Sequence, residues 1–293
     1  MLDPIAALAD HVSCGDVLVL SGAGISTDSG IPDYRGANGS LRRHTPMTFQ
    51  TFVSDDAARR RYWARSHLGW PRFAAARPNV GHHMVARLQK RGLTSGIITQ
   101  NVDGLHQAAG ALDVIDLHGR LDRVVCLSCR SLLPRDELDA MLRSANPSWT
   151  ADVVAMNPDG DADLADDEVA GFRIPGCAAC GGALKPDVVF FGENVPQATV
   201  ERCFSLLERS RLLLVLGSSL TVMSGYRFVR RAVKDGIPVA IVNQGPTRAD
   251  AEAALLVEAP LASALPDLLA RLPGPDVELV DVRRSLSRLT STG

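Results

Sequence analysis

Short, β-branched apolar runs recur along this chain, and each gives way at once to glycine, serine or an amide. Asp16-Val17-Leu18-Val19-Leu20 opens into Ser21-Gly22-Ala23-Gly24, and Gly96-Ile97-Ile98-Thr99 opens into Gln100-Asn101-Val102-Asp103-Gly104. Val114-Ile115-Asp116-Leu117 ends at His118-Gly119, Leu212 to Leu216 at Gly217-Ser218-Ser219, and Val239 to Val242 at Asn243-Gln244-Gly245. Runs so short and so apolar are expected of parallel strands buried on both faces. Helical stretches separate them, at 4–12, 82–91, 197–209, 225–235 and 261–272. The predicted fold class is therefore α/β, a Rossmann-type doubly wound parallel sheet. In such sheets the ligand lies beyond the carboxyl ends of the strands, where this chain places its small and polar residues.

The first of these strand ends is the most specific. Gly22 and Gly24 can adopt backbone angles closed to other residues and let main-chain N–H groups approach a pyrophosphate, so Gly22-Ala23-Gly24 is predicted to cradle a dinucleotide. It differs from the dehydrogenase fingerprint, since Thr27 stands where a third glycine would be and no acidic residue follows about 20 positions on. Pro32, Asp33 and Arg35 come instead, too turn-like for a helix to continue.

Two interruptions suggest a smaller domain. Residues 40–77 carry Phe49, Phe52, Tyr62, Trp63 and Trp70 at helical spacing and predict a helical module. Residues 120–185 break the strand–helix pattern and hold both C-x-x-C pairs, Cys126/Cys129 and Cys177/Cys180; Asn157 to Glu168 is expected to be a surface loop inside them. The large domain is then 1–39, 78–119 and 186–272, with Val188 to Phe191 as a further strand and 273–293 as a tail. The paired knuckles predict one structural Zn²⁺ site, because four thiolates fill a tetrahedral shell and leave no open position. Thioredoxin-like chemistry would need a single pair at a helix start. Cys14 and Cys203 are expected to be buried thiols.

With 31 Lys+Arg against 33 Asp+Glu the net charge is −2, so no global basic field points to nucleic acid or an anionic membrane. Arg59-Arg60-Arg61 is expected to be a solvated helix face. No apolar run approaches the roughly 18 residues of a bilayer span. Paired cysteines suited to metal agree with a reducing, cytoplasmic setting. Nothing in the sequence fixes an oligomeric state. His118, at a strand end on the ligand edge, is the candidate base. Tyr62 and Arg65 share a helix face. They are either surface decoration or a phenol and a guanidinium that select a polar acyl chain.

Together these pieces resemble the sirtuins, NAD-dependent protein deacylases. The resemblance rests on Gly22-Ala23-Gly24-Ile25-Ser26 with Gly30-Ile31-Pro32-Asp33-Tyr34-Arg35, on Pro78-Asn79 with His82, on Thr99 to His106, and on His118-Gly119. It continues through the four cysteines, Lys185 to Glu193, Gly217 to Val222 and Asn243-Gln244. Arg61 to Arg65 with Gly69-Trp70-Pro71, and the run from Asn146 to Asp161, are most similar to the class II branch. The resemblance implies that NAD and an acyl-lysine peptide enter a cleft between the two domains. Gly22, Ala23, Gly24, Gly217, Ser218, Asn243 and Gln244 would hold the ADP-ribose half, Ser26 and Thr27 would begin a loop that closes on the nicotinamide end, and Ser219 and Leu261 would be further NAD contacts. Asp33, Tyr34, Arg35, Gln100, Asn101 and Asp103 would serve the nicotinamide ribose. It further implies catalysis by His118 with Asn101 and Asp103: the acyl oxygen displaces nicotinamide, and the histidine deprotonates a ribose hydroxyl that attacks the imidate. Val188, Phe190, Gly192 and Val222 would hold the peptide by strand addition, with Tyr62 and Arg65 near the acyl group. Tyr34 replaces a common phenylalanine, and Ser224 stands where many sirtuins have proline. Mono-ADP-ribosyl transfer and an NAD-sensing role are the alternative functions.

Overall fold

A computed structural model describes residues 3–34, 46–151, 169 and 171–273. In chain order its elements are α1 (Pro4–Ser13), β1 (Val17–Ser21), α2 (Phe49–Ser54), α3 (Asp56–Ala75), α4 (Val80–Lys90), β2 (Thr94–Thr99), α5 (Leu105–Ala108) and β3 (Val114–Asp116). After them come β4 (Gly119–Cys126), β5 (Leu132–Pro134), α6 (Arg135–Ala145), β6 (Leu184–Val188), α7 (Gln197–Leu207), β7 (Leu212–Leu216), α8 (Met223–Lys234), β8 (Val239–Asn243), β9 (Leu255–Glu258) and α9 (Leu261–Arg271).

The large sheet is parallel throughout, in the order β3-β2-β1-β7-β8-β9. Every residue of β1 and β7 is buried, which is why both strands are continuous apolar runs. One face is covered by α1, α4 and α9 through Leu8, Val12, Val85, Leu88, Leu265 and Leu268. The opposite face is covered by α7 and α8 through Cys203, Leu207, Phe228 and Val229. Caps set the helix starts: the Asp3 carboxylate accepts from the N–H of Ile5 ahead of α1, and Asn79 with His82 forms a capping box on α4. Strand order reverses at β1, with β2 on one side and β7 on the other, so a crevice opens at their carboxyl ends.

The smaller domain fills the two crossovers that leave this edge. Its antiparallel sheet runs β5-β4-β6. Residues 120–145, expected to lack regular structure, supply β4, β5 and α6. Arg135 of α6 is 1% exposed, its guanidinium 5.0 Å from the Trp70 ring centre and 5.5 Å from that of Trp63 on α3. Asp139 accepts from Arg143 and pairs with His67 at 2.6 Å each and with Arg135 at 3.5 Å. The Trp63 indole donates to the main-chain oxygen of Leu184 in β6. Helical and cysteine modules thus share one core.

Three expectations are corrected. The run from Val188 to Phe191 is not a strand of the large sheet: Val188 ends β6 in the small sheet, and Val189 then donates to the main-chain oxygen of His118 at 2.8 Å. β9 was not anticipated, because its short run Leu255-Leu256-Val257 follows two alanines and reads equally well as helix. Cys14 is exposed at the end of α1, whereas Cys203 is buried as expected. The 157–168 loop and the tail beyond residue 273 lie outside the described residues.

Candidate functional site

Gly22 and Gly24 show how the cradle is built. Gly22 sits at φ −134°, an ordinary extended conformation, and neither glycine is in the left-handed region. Their need for glycine is spatial: a Cβ on Gly22 would stand 2.7 Å from the Ser218 Cβ, and one on Gly24 would stand 2.9 Å from the Gly217 carbonyl oxygen. Their N–H groups donate to the main-chain oxygens of Leu216 and Gly217 at 3.0 and 2.8 Å. What the glycines provide is contact between the loops after β1 and β7, in place of the expected free amides. The chain then makes two short 3₁₀ turns, Ala23–Ile25 and Thr27–Ser29.

Ser26 is the hub beneath that loop. Its hydroxyl donates to Asp103 Oδ2 at 2.7 Å and accepts from Asn101 Nδ2 at 3.0 Å, while His82 Nε2 lies 3.4 Å away. His82 Nδ1 accepts from the Asn79 N–H, so Nε2 carries its hydrogen toward Ser26. His106 Nε2 lies 2.8 Å from Ser21 Oγ, which donates to Thr99. Burial pushes the pKa of His82 down to about 3 and that of His106 to about 4. Burial pushes Asp103 up, against the bonds it accepts from Leu105, Ser26 and Asn101. Asn101 and Asp103 therefore fix the position of the loop through Ser26.

His118 stands at the end of β3, where Gly119 must be glycine: φ is +78°, and a Cβ would fall 2.0 Å from the Asp187 oxygen. Its Nδ1 is 2.8 Å from the main-chain oxygen of Gln100, and its Nε2 is 2.8 Å from Ser224 Oγ. Burial lowers its pKa, the Gln100 bond opposes that, and the positive charge of Arg227 lowers it further. Burial thus favours the neutral form of the imidazole.

These parts line one cleft of about 960 Å³. It takes in Gly22, Ala23, Gly24, Ser26, Asp33, Tyr34, Gln100, Asn101, Asp103, His118, Gly217, Ser218, Ser219, Asn243 and Gln244, together with Tyr62, Val188, Phe190, Gly192 and Val222. Thr27, Arg65 and Leu261 are not part of its wall. Thr27 is exposed and its hydroxyl donates to the Gly24 oxygen, while Leu261 is buried in the core beside α1. Arg65 lies one helical turn on from Tyr62 and half-buried. Arg35 lies outside the described residues.

The Tyr62 ring packs on Phe52 at 5.4 Å and on Phe190 at 5.2 Å. Lys185, 4% exposed in its side chain, pairs with Glu193 at 3.0 Å and bonds the Val188 oxygen, and Glu193 accepts from the Phe190 N–H. Thr48 bridges Phe191 from the other side. Sequence reasoning missed Ile31, Met47 and Leu121 on the apolar wall and Arg227 on the polar one. The three-residue spacing of Arg227 from Ser224 on α8 was the only signal for Arg227, and such spacing is common.

The four cysteine sulfurs lie within 4.8 Å of one another, and none is in a disulfide. Cys126 and Cys180 are 3.5 Å apart and Cys129 and Cys177 3.8 Å, matching the roughly 3.8 Å between sulfurs bound tetrahedrally at 2.3 Å from Zn²⁺. The set fits one structural zinc ion, remote in role from the cleft chemistry.

Residues 22–224 match the Sir2 family model. An NAD-dependent protein deacetylase 1 of Streptomyces coelicolor is 60% identical over 92% of this chain and 90% of its own length. An NAD-dependent protein deacetylase of Xanthomonas axonopodis pv. citri is 55% identical over 85% of both. Among solved structures, Sir2 with a peptide and NAD⁺ superposes at TM-score 0.74 with 29% identity, covering 90% of this chain and 96% of the other. Sir2 bound to acetylated peptide gives 0.72 with 28% identity, covering 91% and 97%.

Proposed function

The chain belongs to the Sir2 family, and on that premise we propose that its cleft binds NAD at the β1/β7 edge, takes an acyl-lysine between the two domains, and removes the acyl group with His118 as base. The protein is an NAD-dependent protein-lysine deacylase. The observation that carries the assignment of the base is the place of His118 in the cleft wall, with its Nδ1–H held by the Gln100 carbonyl so that Nε2 carries the lone pair.

NAD supplies an electrophilic ribose carbon when nicotinamide leaves. The polar wall, from Ser26 and Asn101 round to Ser218 and Asn243, would hold it. His118 Nε2 would take up a proton from a hydroxyl: the lowered pKa keeps its lone pair free at neutral pH, and the proton is readily given up afterwards. Main-chain groups of 188–193 and 220–222 would hold the peptide by strand addition, which asks little of its sequence. The segment that carries Phe190 is pinned by Lys185, Glu193 and Thr48, so it is ready before the peptide arrives.

The class II likeness and a cytoplasmic location belong to the same reading. Unpaired cysteines clustered for a metal suit a reducing compartment. Among the described residues no helix is long and apolar enough to cross a membrane. We place the acyl chain against Ile31, Met47, Tyr62, Leu121 and Phe190, all of which line the cleft. An apolar wall of that kind favours acetyl and longer apolar chains over succinyl, since an unpaired carboxylate would lose its hydration there.

His118→Ala is expected to lower kcat/KM at least a hundredfold on an acetyl-lysine peptide. Mass spectrometry of the wild-type reaction should show free lysine and O-acyl-ADP-ribose. Mass added to the protein substrate instead would point to ADP-ribosyl transfer. Faster turnover of succinyl than acetyl peptides would refute the apolar acyl site.

A further inference from the structure

His118 is gripped at both ring nitrogens. The Gln100 carbonyl can only accept, so Nδ1 carries the hydrogen and Nε2 the lone pair. At 2.8 Å from that lone pair, the Ser224 hydroxyl donates into it. Ser224 is the second residue of α8, and the next residue explains how it comes so close: a Cβ on Gly225 would stand 2.4 Å from Gln100 Oε1. The start of α8 therefore rests directly on the residue whose carbonyl holds the other side of the ring. The Gln100 amide is itself tied to Ser218 Oγ at 2.9 Å and to the Ser21 oxygen at 3.2 Å.

We propose that Ser224 is a positioning residue for His118, fixing the ring plane and the Nδ1–H tautomer from the side opposite Gln100 and so setting the aim of the nitrogen that accepts the proton. This rests on the reading of His118 as the base. An imidazole held at one atom can pivot about that bond; a second anchor across the ring removes the pivot. Turning the ring over would set carbon atoms against both anchors and lose both bonds together. One lone pair serves both partners: the hydroxyl donates to the neutral ring at rest, and it gives up that direction to the substrate hydroxyl when Nε2 takes its proton. Alanine leaves the resting ring without that hold. Arg227, one turn further along α8, is the charged group that acts on the ring, and it opposes the imidazolium.

The test uses the whole protein, zinc-loaded and free of other ligands, with ¹⁵N-labelled histidine. Wild type should give one set of His118 ring signals, protonated type at Nδ1 and unprotonated type at Nε2. In Ser224→Ala those signals should average or broaden, and Ser224→Thr should restore them. Turnover of an acetyl-lysine peptide should fall about fivefold in the alanine variant, the factor carried by one lost hydroxyl–imidazole hydrogen bond. KM for NAD should stay within about twofold, as expected of a group that aims the base and does not bind the dinucleotide. An alanine variant with the wild-type ring-nitrogen spectrum overturns the proposal whatever its turnover. An active His118→Ala protein overturns the underlying assignment of the base instead, so the two failures are told apart.

Discussion

At the scale of single residues, the histidines divide by what burial does to them. His82 and His106 lie 5.0 Å apart between ring centres, both buried and both kept neutral. Their pKa values fall to about 3 and about 4, below the ordinary 6.5 that each regains on unfolding. The unfolded chain therefore binds more protons between those limits, and stability is full above pH 6.5 and lost as pH falls toward 4. Each ring should cost about 1.4 kcal/mol of unfolding free energy per pH unit in that window. Asp103, raised by burial, titrates with the opposite sign and offsets part of the loss. Urea midpoints at pH 7 and pH 5, with histidine proton shifts followed between them, check this. Two rings that titrate near 6.5 in the folded protein would sink it. The sequence did not reveal this network, because a histidine in a helical stretch has no pattern that separates a buried neutral ring from a solvated one. His118 was legible only because it sat at a strand end.

At the scale of elements, legibility follows burial. β1, β2, β7 and β8 lie inside the parallel sheet, so their apolar runs announce them, and the edge strand β3 showed through its run Val114 to Leu117. β4 carries Arg120, Asp122 and Arg123 and turns continuously apolar only from Val124, and β9 spans four residues with Val257 alone buried, so neither stood out. The pairing of α3 with α6 was also invisible, since it turns on one buried guanidinium between two indoles. Arg135→Ala should destabilise the protein by about 2–5 kcal/mol, because it empties the space beside the Trp63 and Trp70 rings and removes one of the three partners of Asp139. Arg135→Lys should rescue only partly, as an ammonium cannot lie flat between the Trp63 and Trp70 rings. Denaturant unfolding of the two variants measures both effects, and a loss under 1 kcal/mol for alanine would contradict the account. At α8, Gly225→Ala should lift the helix start off Gln100 and reproduce the His118 ring-nitrogen signature of Ser224→Ala, even though the hydroxyl is still present.

At the scale of the whole molecule, the cleft is bounded by two bodies that the metal keeps in shape. Cys126 ends β4, the strand that begins next to His118, and Cys177 and Cys180 precede β6, which leads to Phe190. Removing zinc should loosen both walls. Metal analysis should find one zinc per chain, and a strong chelator should lower Tm by roughly ten degrees, since a few kcal/mol moves a domain of this size that far. An unchanged Tm in metal-free protein would refute the role. The strand order carries a consequence for synthesis as well. β1 pairs residues 17–21 with 212–216 of β7, while everything that forms the smaller domain is made in between. At about 5–20 residues per second, β7 leaves the ribosome some ten to forty seconds after β1. During that interval the fully apolar β1 has β2 on one side and an open edge on the other. A chain stopped before residue 212 should aggregate at that edge, and nascent chains of this protein should depend on a chaperone until the last half of the sheet arrives to close it.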